Sequence, residues 1–340
     1  MIWLTWRQFR AAALASAALL AVFGAGLAFS GMGLADDYSS GIASCAGQAD
    51  GCAQFFDRFL DEHQTMFLAV GGLLLVLPAL LGLFWGAPLF AREVENGTLR
   101  MVWTQSVRRS GWLTAKFTVV GLAAMIVAGL GSLAVTWWAS PLDKSAQGTY
   151  PRLEPMVFAT RGIVPVGYAA FAFAVGVTVG MLVRRSLPAM ALTLAVFAAA
   201  QVAMPTLVRP HLATPVKASA AISGANVDGV SEGGVLQMRA SVQDAGAWIL
   251  SSRTVDRHGD AVAVIDLPDA ANKRCESQRE SPSQAMKCVS DAANALGYRQ
   301  ETTYQPSSRF WRFQWTETGI YGGLALGLTG FCFWWSRRRV

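Results

Sequence analysis

AAALASAALLAVFGAGLAFSGMGL, residues 11–34, contains no Asp, Glu, Lys or Arg. A helix needs about 20 apolar residues to cross the hydrocarbon core of a bilayer, so this run is long enough to span. It follows Arg7 and Arg10, the basic flank of a secretory signal, but it is too long for an h-region and five similar runs follow it. It therefore reads as an uncleaved anchor. The other runs are Thr65 to Phe90, Phe117 to Ala139, Gly162 to Val183, Leu187 to Val208 and Gly319 to Trp335, all without an acidic or basic residue. Six spans predict an all-α polytopic membrane protein.

The composition agrees. Hydrophobic residues make up 53% of the 340 positions and charged residues 15%, against about 25% charged in a soluble domain. The net charge of +6 does not point to nucleic acid, because the basic residues form no single patch. They sit at the ends of apolar runs, as membrane insertion requires.

The same residues give the orientation. One side collects Arg7, Arg10, Arg92, Arg100, Arg108, Arg109, Lys116, Arg184, Arg185, Arg337, Arg338 and Arg339, twelve basic residues against the acids Glu93 and Glu95. The opposite loop at 35–64 holds Asp36, Asp37, Asp50, Asp57, Asp61 and Glu62 against Arg58. The basic side is cytosolic by the positive-inside rule, and six spans bring both termini to it. Cys45 and Cys52 then fall in the first outer loop and Cys275 and Cys288 in the last. Four cysteines allow three connectivities; local spacing favours Cys45 with Cys52 and Cys275 with Cys288, on the side where disulfides persist. A metal site would want C-x-x-C spacing and neighbouring histidines, and neither is present.

Residues 1–10, MIWLTWRQFR, place Ile2, Trp3, Trp6 and Phe9 on one helical face with Arg7 and Arg10 towards the other. That pattern predicts an interfacial amphipathic helix ahead of the spans in 11–208. The outer segment 209–303 is large enough for a small α+β domain. Leu236 to Val242 alternates as a half-buried strand, and His258-Gly259-Asp260 is a turn before the apolar run Ala261 to Ile265. Ser281-Pro282-Ser283-Gln284 is a capping box, and Gly297 is the matching C-terminal stop. The expected fold is thus six transmembrane helices with an α+β extracellular domain between the fifth and sixth.

In 304–340 the last helix is introduced by YQPSSRFWRFQWTETG, residues 304–319. Phe310, Trp311, Phe313 and Trp315, with Glu317 behind them, suit either an aromatic belt or a short re-entrant element at the outer exit, an outer gate.

Residues for bond chemistry are missing. His63, His211 and His258 are scattered, no HExxH or GxSxG motif occurs, and no GxxxxGK[ST] phosphate loop exists. The chain is therefore not expected to be an enzyme, to hold a metal or to bind a cofactor. The spans lack ionisable groups, which weighs against proton- or sodium-coupled carriers and charged-ring channels. Gly82-x-x-x-Gly86, Gly176-x-x-x-Gly180 and Gly323-x-x-x-Gly327 permit close helix packing.

The longest cytosolic loop, 91–112, opens the stretch AREVENGTLRMVWTQSVRRSGWLTAKF, Ala91 to Phe117. Leu99, Met101, Val102 and Trp103 make it too apolar for a solvated linker, and its charge is too high for the bilayer interior. Glu93, Glu95, Asn96, Gly97, Thr98, Thr104, Gln105, Arg108, Arg109 and Lys116 resemble the E-x-E-x-G-T-like loop between the second and third spans of type-2 ABC exporter permeases. The amphipathic N-terminus, the order of spans and the ending FCFWWSRRR are similar too. Residues 209–303 depart from the plainest members of that family.

The resemblance implies a multi-pass permease in a bacterial plasma (inner) membrane, paired with a second copy, a homodimer, and with two cytosolic ATPase subunits that carry ATP and Mg. It implies ATPase coupling through Glu93, Glu95, Asn96, Gly97, Thr98 and Arg100. It also implies a substrate path beside the second and fifth spans, with Phe84, Trp85, Phe197, Gln201 and Met204 as candidates. The expected function is export of an amphipathic or hydrophobic compound (drug, antibiotic, peptide or lipid) by alternating access. The rival is a membrane sensor whose extracellular domain binds a peptide or antibiotic.

Overall fold

The computed structural model describes residues 2–46, 52–95, 97, 109–145, 150–223, 227–230, 236–238, 242, 244, 246–263, 265, 267–276 and 282–338. The chain divides into two units, one of residues 1–150, 154–212 and 310–340, the other of residues 151–153 and 213–309.

The first unit is helical. It opens with α1 (Ile2–Cys45), α2 (Ala53–Leu81), the nine-residue α3 (Ala87–Glu95) and α4 (Arg109–Trp138). The short helices α5 (Ser140–Ser145) and α6 (Pro155–Ala159) follow, then α7 (Val164–Val183) and α8 (Ser186–Ala203). Among the described residues, five segments are long and apolar enough to cross a membrane: Phe9–Cys45, Gln54–Glu95, Gly111–Trp138, Val164–Val183 and Ser186–His211. The chain is thus a polytopic, mostly helical protein. The final helix of this unit, Phe310–Arg338, has 29 residues, enough length to span. Its glycines and tryptophans, with Arg312 and Glu317, make it less apolar than the other five.

No break separates residues 2–10 from the first span. α1 runs for 44 residues, and Phe9 packs edge-on against Trp85, ring centroids 4.7 Å apart. Residues 2–10, expected to lead into the first span as an amphipathic helix, form the first turns of one continuous helix with it.

Between α2 and α3 lies a π-helical turn, Gly82–Gly86, one turn after Pro78. A second, Met204–Val208, extends α8 and contains Pro205. A proline lacks the N–H that an α-helix needs, and a π turn is one way the chain absorbs the defect. The first turn seats the second span on α7. A Cβ at Gly82 would lie 2.5 Å from the Ala172 carbonyl oxygen, and one at Gly86 2.7 Å from that of Phe173. Gly176 meets the Gly82 carbonyl in return. Two of the three GxxxG spacings thus face each other backbone to backbone, as small residues allow. The third, Gly323 and Gly327, has open space beside it.

α7 is the axis of the bundle, 78% buried, where the first span is 6% and the fifth 22% buried. It packs against α2, α3, α4, α8 and the last helix. One core beside it joins Phe9, Leu81, Trp85, Phe90, Trp112 and Phe173. Another joins Leu27, Leu34, Phe59, Phe67, Leu74 and Trp138, on the side where Cys45 and Cys52 form a disulfide between α1 and α2.

The second unit holds β1 (Val216–Ala221), β2 (Val227–Val230), β3 (Leu236–Met238), β4 (Trp248–Val255), β5 (Ala261–Val262) and β6 (Arg299–Gln305), with α9 (Asp269–Glu276) and α10 (Pro282–Ala295). Four strands make an antiparallel sheet in the order β1-β6-β4-β5, and β2 pairs with β3. The register sets Val216 opposite Tyr304 and Ala221 opposite Arg299. β6 thus carries the unit past residue 303, to Arg309.

Ile222, Ile265, Leu267 and Ala293 form its core, and Cys275–Cys288 ties α9 to α10. The turn before β5 is held by Asp256, whose carboxylate accepts from the His258 and Asp260 amides at 2.8 and 3.0 Å. Those bonds hold its pKa below the ordinary value. α10 begins at Pro282 and is followed by Gly297 at φ +87°; Ser281 lies outside the described residues.

Candidate functional site

The last helix, α11 (Phe310–Arg338), is amphipathic across its first turns. Phe313, Gln314, Glu317 and Tyr321 are buried at helical spacing, while Trp311 is 57% and Trp315 66% exposed. The residues read together as an outer gate therefore divide. Trp311 and Trp315 face outward, as an aromatic belt requires. Phe310 packs on Phe158, centroids 5.6 Å apart. No separate re-entrant helix exists there: β6, a 3-10 turn at Ser307–Arg309 and α11 account for the whole stretch.

The inward face of α11 holds two polar devices. Gln314 secures the turn ahead of α7. Its Oε1 accepts from the Ile163 and Val164 amides, each at 2.9 Å, and its Nε2 donates to the Phe158 carbonyl at 3.1 Å. Gly162 lies in that turn at φ +65°, a conformation suited to glycine. A Cβ there would also sit 2.7 Å from Gln314 Oε1.

One turn on, Glu317 is fully buried and accepts from three donors. Arg209 Nε reaches Oε2 at 2.9 Å, Arg209 Nη2 reaches Oε1 at 3.1 Å, and the Tyr168 hydroxyl donates to Oε1 at 2.5 Å. The Arg209 guanidinium lies 4.1 Å from the centroid of the Phe158 ring, a cation–π contact that favours its charge. Tyr321 stands edge-on to Tyr168, centroids 4.8 Å apart, and donates to the Ala200 carbonyl at 3.2 Å. One carboxylate therefore joins α7, the continuation of α8 and α11.

A second buried pair, Arg161 with Asp143, lies nearby, its Nη2–Oδ1 distance 3.4 Å. The apolar runs end at Val208 and resume at Gly319, so the spans looked free of ionisable groups. The helices run past those limits and carry Arg209 and Glu317 inside the bundle. Arg209, assigned by sequence to the outer domain, belongs to the helical unit.

The opposite end of the bundle holds the other acidic residues singled out. Glu93 pairs with Lys116 at the start of α4, and the Lys116 ammonium lies 4.3 Å from the Trp112 ring centroid. Glu95 ends α3 and binds the first residue of α8: Oε1 accepts from the Ser186 amide at 3.0 Å and Oε2 from its hydroxyl at 2.5 Å. Gly97 adopts φ +69°, so the backbone turns there as glycine permits. Asn96, Thr98 and Arg100 lie outside the described residues. The carboxylates of Glu93 and Glu95, to which the family resemblance assigns ATPase coupling, each have a partner in this chain.

Of the residues proposed for a substrate path, Phe84 is 59% exposed, while Trp85, Phe197 and Met204 are buried. Phe197 lies edge-on to Tyr168 at 6.5 Å, and Gln201 keeps a buried Nε2 with no partner. Three of them, Phe84, Trp85 and Met204, fall in the two π turns.

The family described as ABC-2 membrane transporter related matches residues 17–209, more than half of the chain. The chain belongs to this family. The match ends at Arg209, so residues 213–309 of the second unit and α11 lie beyond it. Neither a search of curated proteins nor one of solved structures returned a match. The ABC-2 family fits the polytopic bundle, and it makes this chain a membrane component of an ABC transporter.

Proposed function

We propose that this ABC-2 protein is the permease of an ATP-driven exporter that moves an amphipathic or hydrophobic compound out of the cell by alternating access. In this reading α11 is the sixth span, both termini are cytosolic, and residues 213–309 lie outside a bacterial plasma membrane. Two copies form a homodimer that binds two ATPase subunits, which hold the ATP and Mg. The carrying observation is the distribution of buried charge. Among the described residues, buried charged side chains stand at the two ends of the bundle: Lys116, paired with the part-buried Glu93, at one, and Arg209 and Glu317 with Arg161 and Asp143 at the other. Between them the spans are apolar and glycine-rich. Fixed ends with a smooth interior suit a device that exchanges two packed states, each presenting a different face to the substrate.

The test is reconstitution with the partner ATPase in inside-out vesicles, using a panel of fluorescent amphipathic compounds. ATP-dependent accumulation of one of them supports the reading. Stable binding of the ATPase without any ATP-driven movement across the panel overturns it. The rival, a sensor, rests on the second unit, whose sheet and disulfide-tied helices form a fold with its own core. Ligand binding to that unit that changes an associated kinase, with no transport, selects the rival.

A further inference from the structure

α3 is a short block of helix, nine residues between the π turn at Gly82–Gly86 and the turn at Gly97. It is secured to its neighbours on two sides. Gly180 of α7 meets the Ala87 carbonyl backbone to backbone, and Glu93 pairs with Lys116 of α4. The third attachment is of a different kind. The fifth span begins after a tight turn in which Arg184 is left-handed at φ 58° and Arg185 is extended at φ −131°, ψ 128°. Arg185 occupies the capping position of α8 and makes no side-chain cap bond. A helix start leaves its first N–H groups without partners and carries partial positive charge. Here the missing acceptor comes from another span: the Glu95 carboxylate takes both the amide and the hydroxyl of Ser186. Fewer residues of the fifth span than of the central helix are buried within the chain, 22% against 78% over their most apolar stretches.

We propose that Glu95 is a positioning residue that transmits motion of the cytosolic loop to the fifth span, by capping α8 from the end of α3. The proposal rests on the exporter reading for the origin of that motion. The carboxylate moves with the segment leading into residues 96–108, and the helix it holds carries Phe197, Gln201 and Met204. A shift of the loop thus pulls the start of α8 directly, without passing through the core.

Ser186→Pro separates this role from contact with the ATPase. Proline at the first helical position keeps the helix start and removes both donors, and the extended Arg185 before it is the conformation proline prefers. The measurement uses the whole permease with its ATPase subunit in proteoliposomes and reads substrate moved per ATP hydrolysed, beside co-purification of the two subunits. Glu95→Ala and Ser186→Pro are each expected to lower that ratio about fivefold, the scale of one lost helix cap. The double variant should fall no further than the lower single, and all three should hold the ATPase. The proposal is overturned if Glu95→Ala alone releases the ATPase, if the two losses multiply, or if either single variant couples as the wild type does.

A spin label at Leu187→Cys, a site 80% exposed, supplies a readout that needs no substrate. Its mobility should change on ATP binding in the otherwise wild-type complex and not with Glu95→Ala added. A label that still responds with Glu95→Ala rejects the proposal. A complex whose label responds but which moves no substrate refutes the exporter reading alone.

Discussion

Replacing Glu317 by glutamine preserves the volume of the side chain and removes its charge. The Arg209 guanidinium, 1% exposed and stacked over Phe158, would then lie in the bundle without its counter-ion. Removing one partner of a buried pair costs about 3–5 kcal/mol, because the remaining charge is desolvated and uncompensated. The geometry supports the upper part of that range: the contact is bidentate, at 2.9 and 3.1 Å, and the same carboxylate accepts from Tyr168. At roughly 2–4 °C per kcal/mol, the variant should melt on the order of 10 °C below the wild type. Thermal unfolding of the detergent-solubilised protein, followed by size-exclusion fluorescence, reads this directly.

The double variant Arg209→Met with Glu317→Leu removes both charges and should recover much of the loss, since apolar packing replaces a buried pair at little cost. Tyr168→Phe deletes one hydrogen bond and should cost about 1–2 kcal/mol. If Glu317→Gln melts within about 1 °C of the wild type, or the double variant is no more stable than the single, the charges do not join the three helices as the geometry implies.

Three further outcomes follow from other parts of the chain. Phe313→Ala should destabilise the protein by about 3–5 kcal/mol, as loss of a buried aromatic does, whereas Trp311→Ala, at 57% exposure, should leave the melting temperature within about 2 °C; equal losses would contradict the division of the aromatic cluster. Gly176→Leu should prevent stable assembly of the bundle because the Gly82 carbonyl occupies the space a side chain needs, and normal expression with an unchanged melting temperature would show that the second and fourth spans do not meet there. Single cysteines at Ser40 and Val230 should react with an impermeant maleimide in intact cells, and one at Arg100 only after permeabilisation; the reverse pattern would invert the orientation.

Five of the spans, the family and both cysteine pairs could be read from sequence because each depends on local pattern. A run without charge spans whatever its neighbours are, and cysteines 7 and 13 residues apart pair locally. The turn at Gly97 was legible for the same reason.

What escaped was the charge held by distant partners. Arg209 and Glu317 are 108 residues apart, and each stands just beyond an apolar run, where a charged residue ordinarily marks the membrane surface. Length of run located the hydrophobic stretch but missed the helix that continues past it. A signal was nevertheless present. Phe310, Phe313, Gln314, Glu317 and Tyr321 recur at helical spacing while Trp311 and Trp315 fall between them, so the face carrying Glu317 was the face opposite the two tryptophans. A carboxylate on the inward side of a helix must find a cation, but nothing local marked Arg209, at the end of the preceding span, as that cation rather than as a membrane-surface residue.

The cytosolic end gave no comparable signal. Glu93 and Glu95 lie two apart, on different sides of a helix. Sequence alone could not show that one side meets Lys116 and the other the start of α8. That division gives the two carboxylates different tasks. Glu93, part-buried, pairs with the buried Lys116 that lies over Trp112 and so secures α3 to α4; its loss should act on folding. Glu95 is exposed and holds a helix terminus that can separate from it at small cost, so its loss should act on coupling between spans.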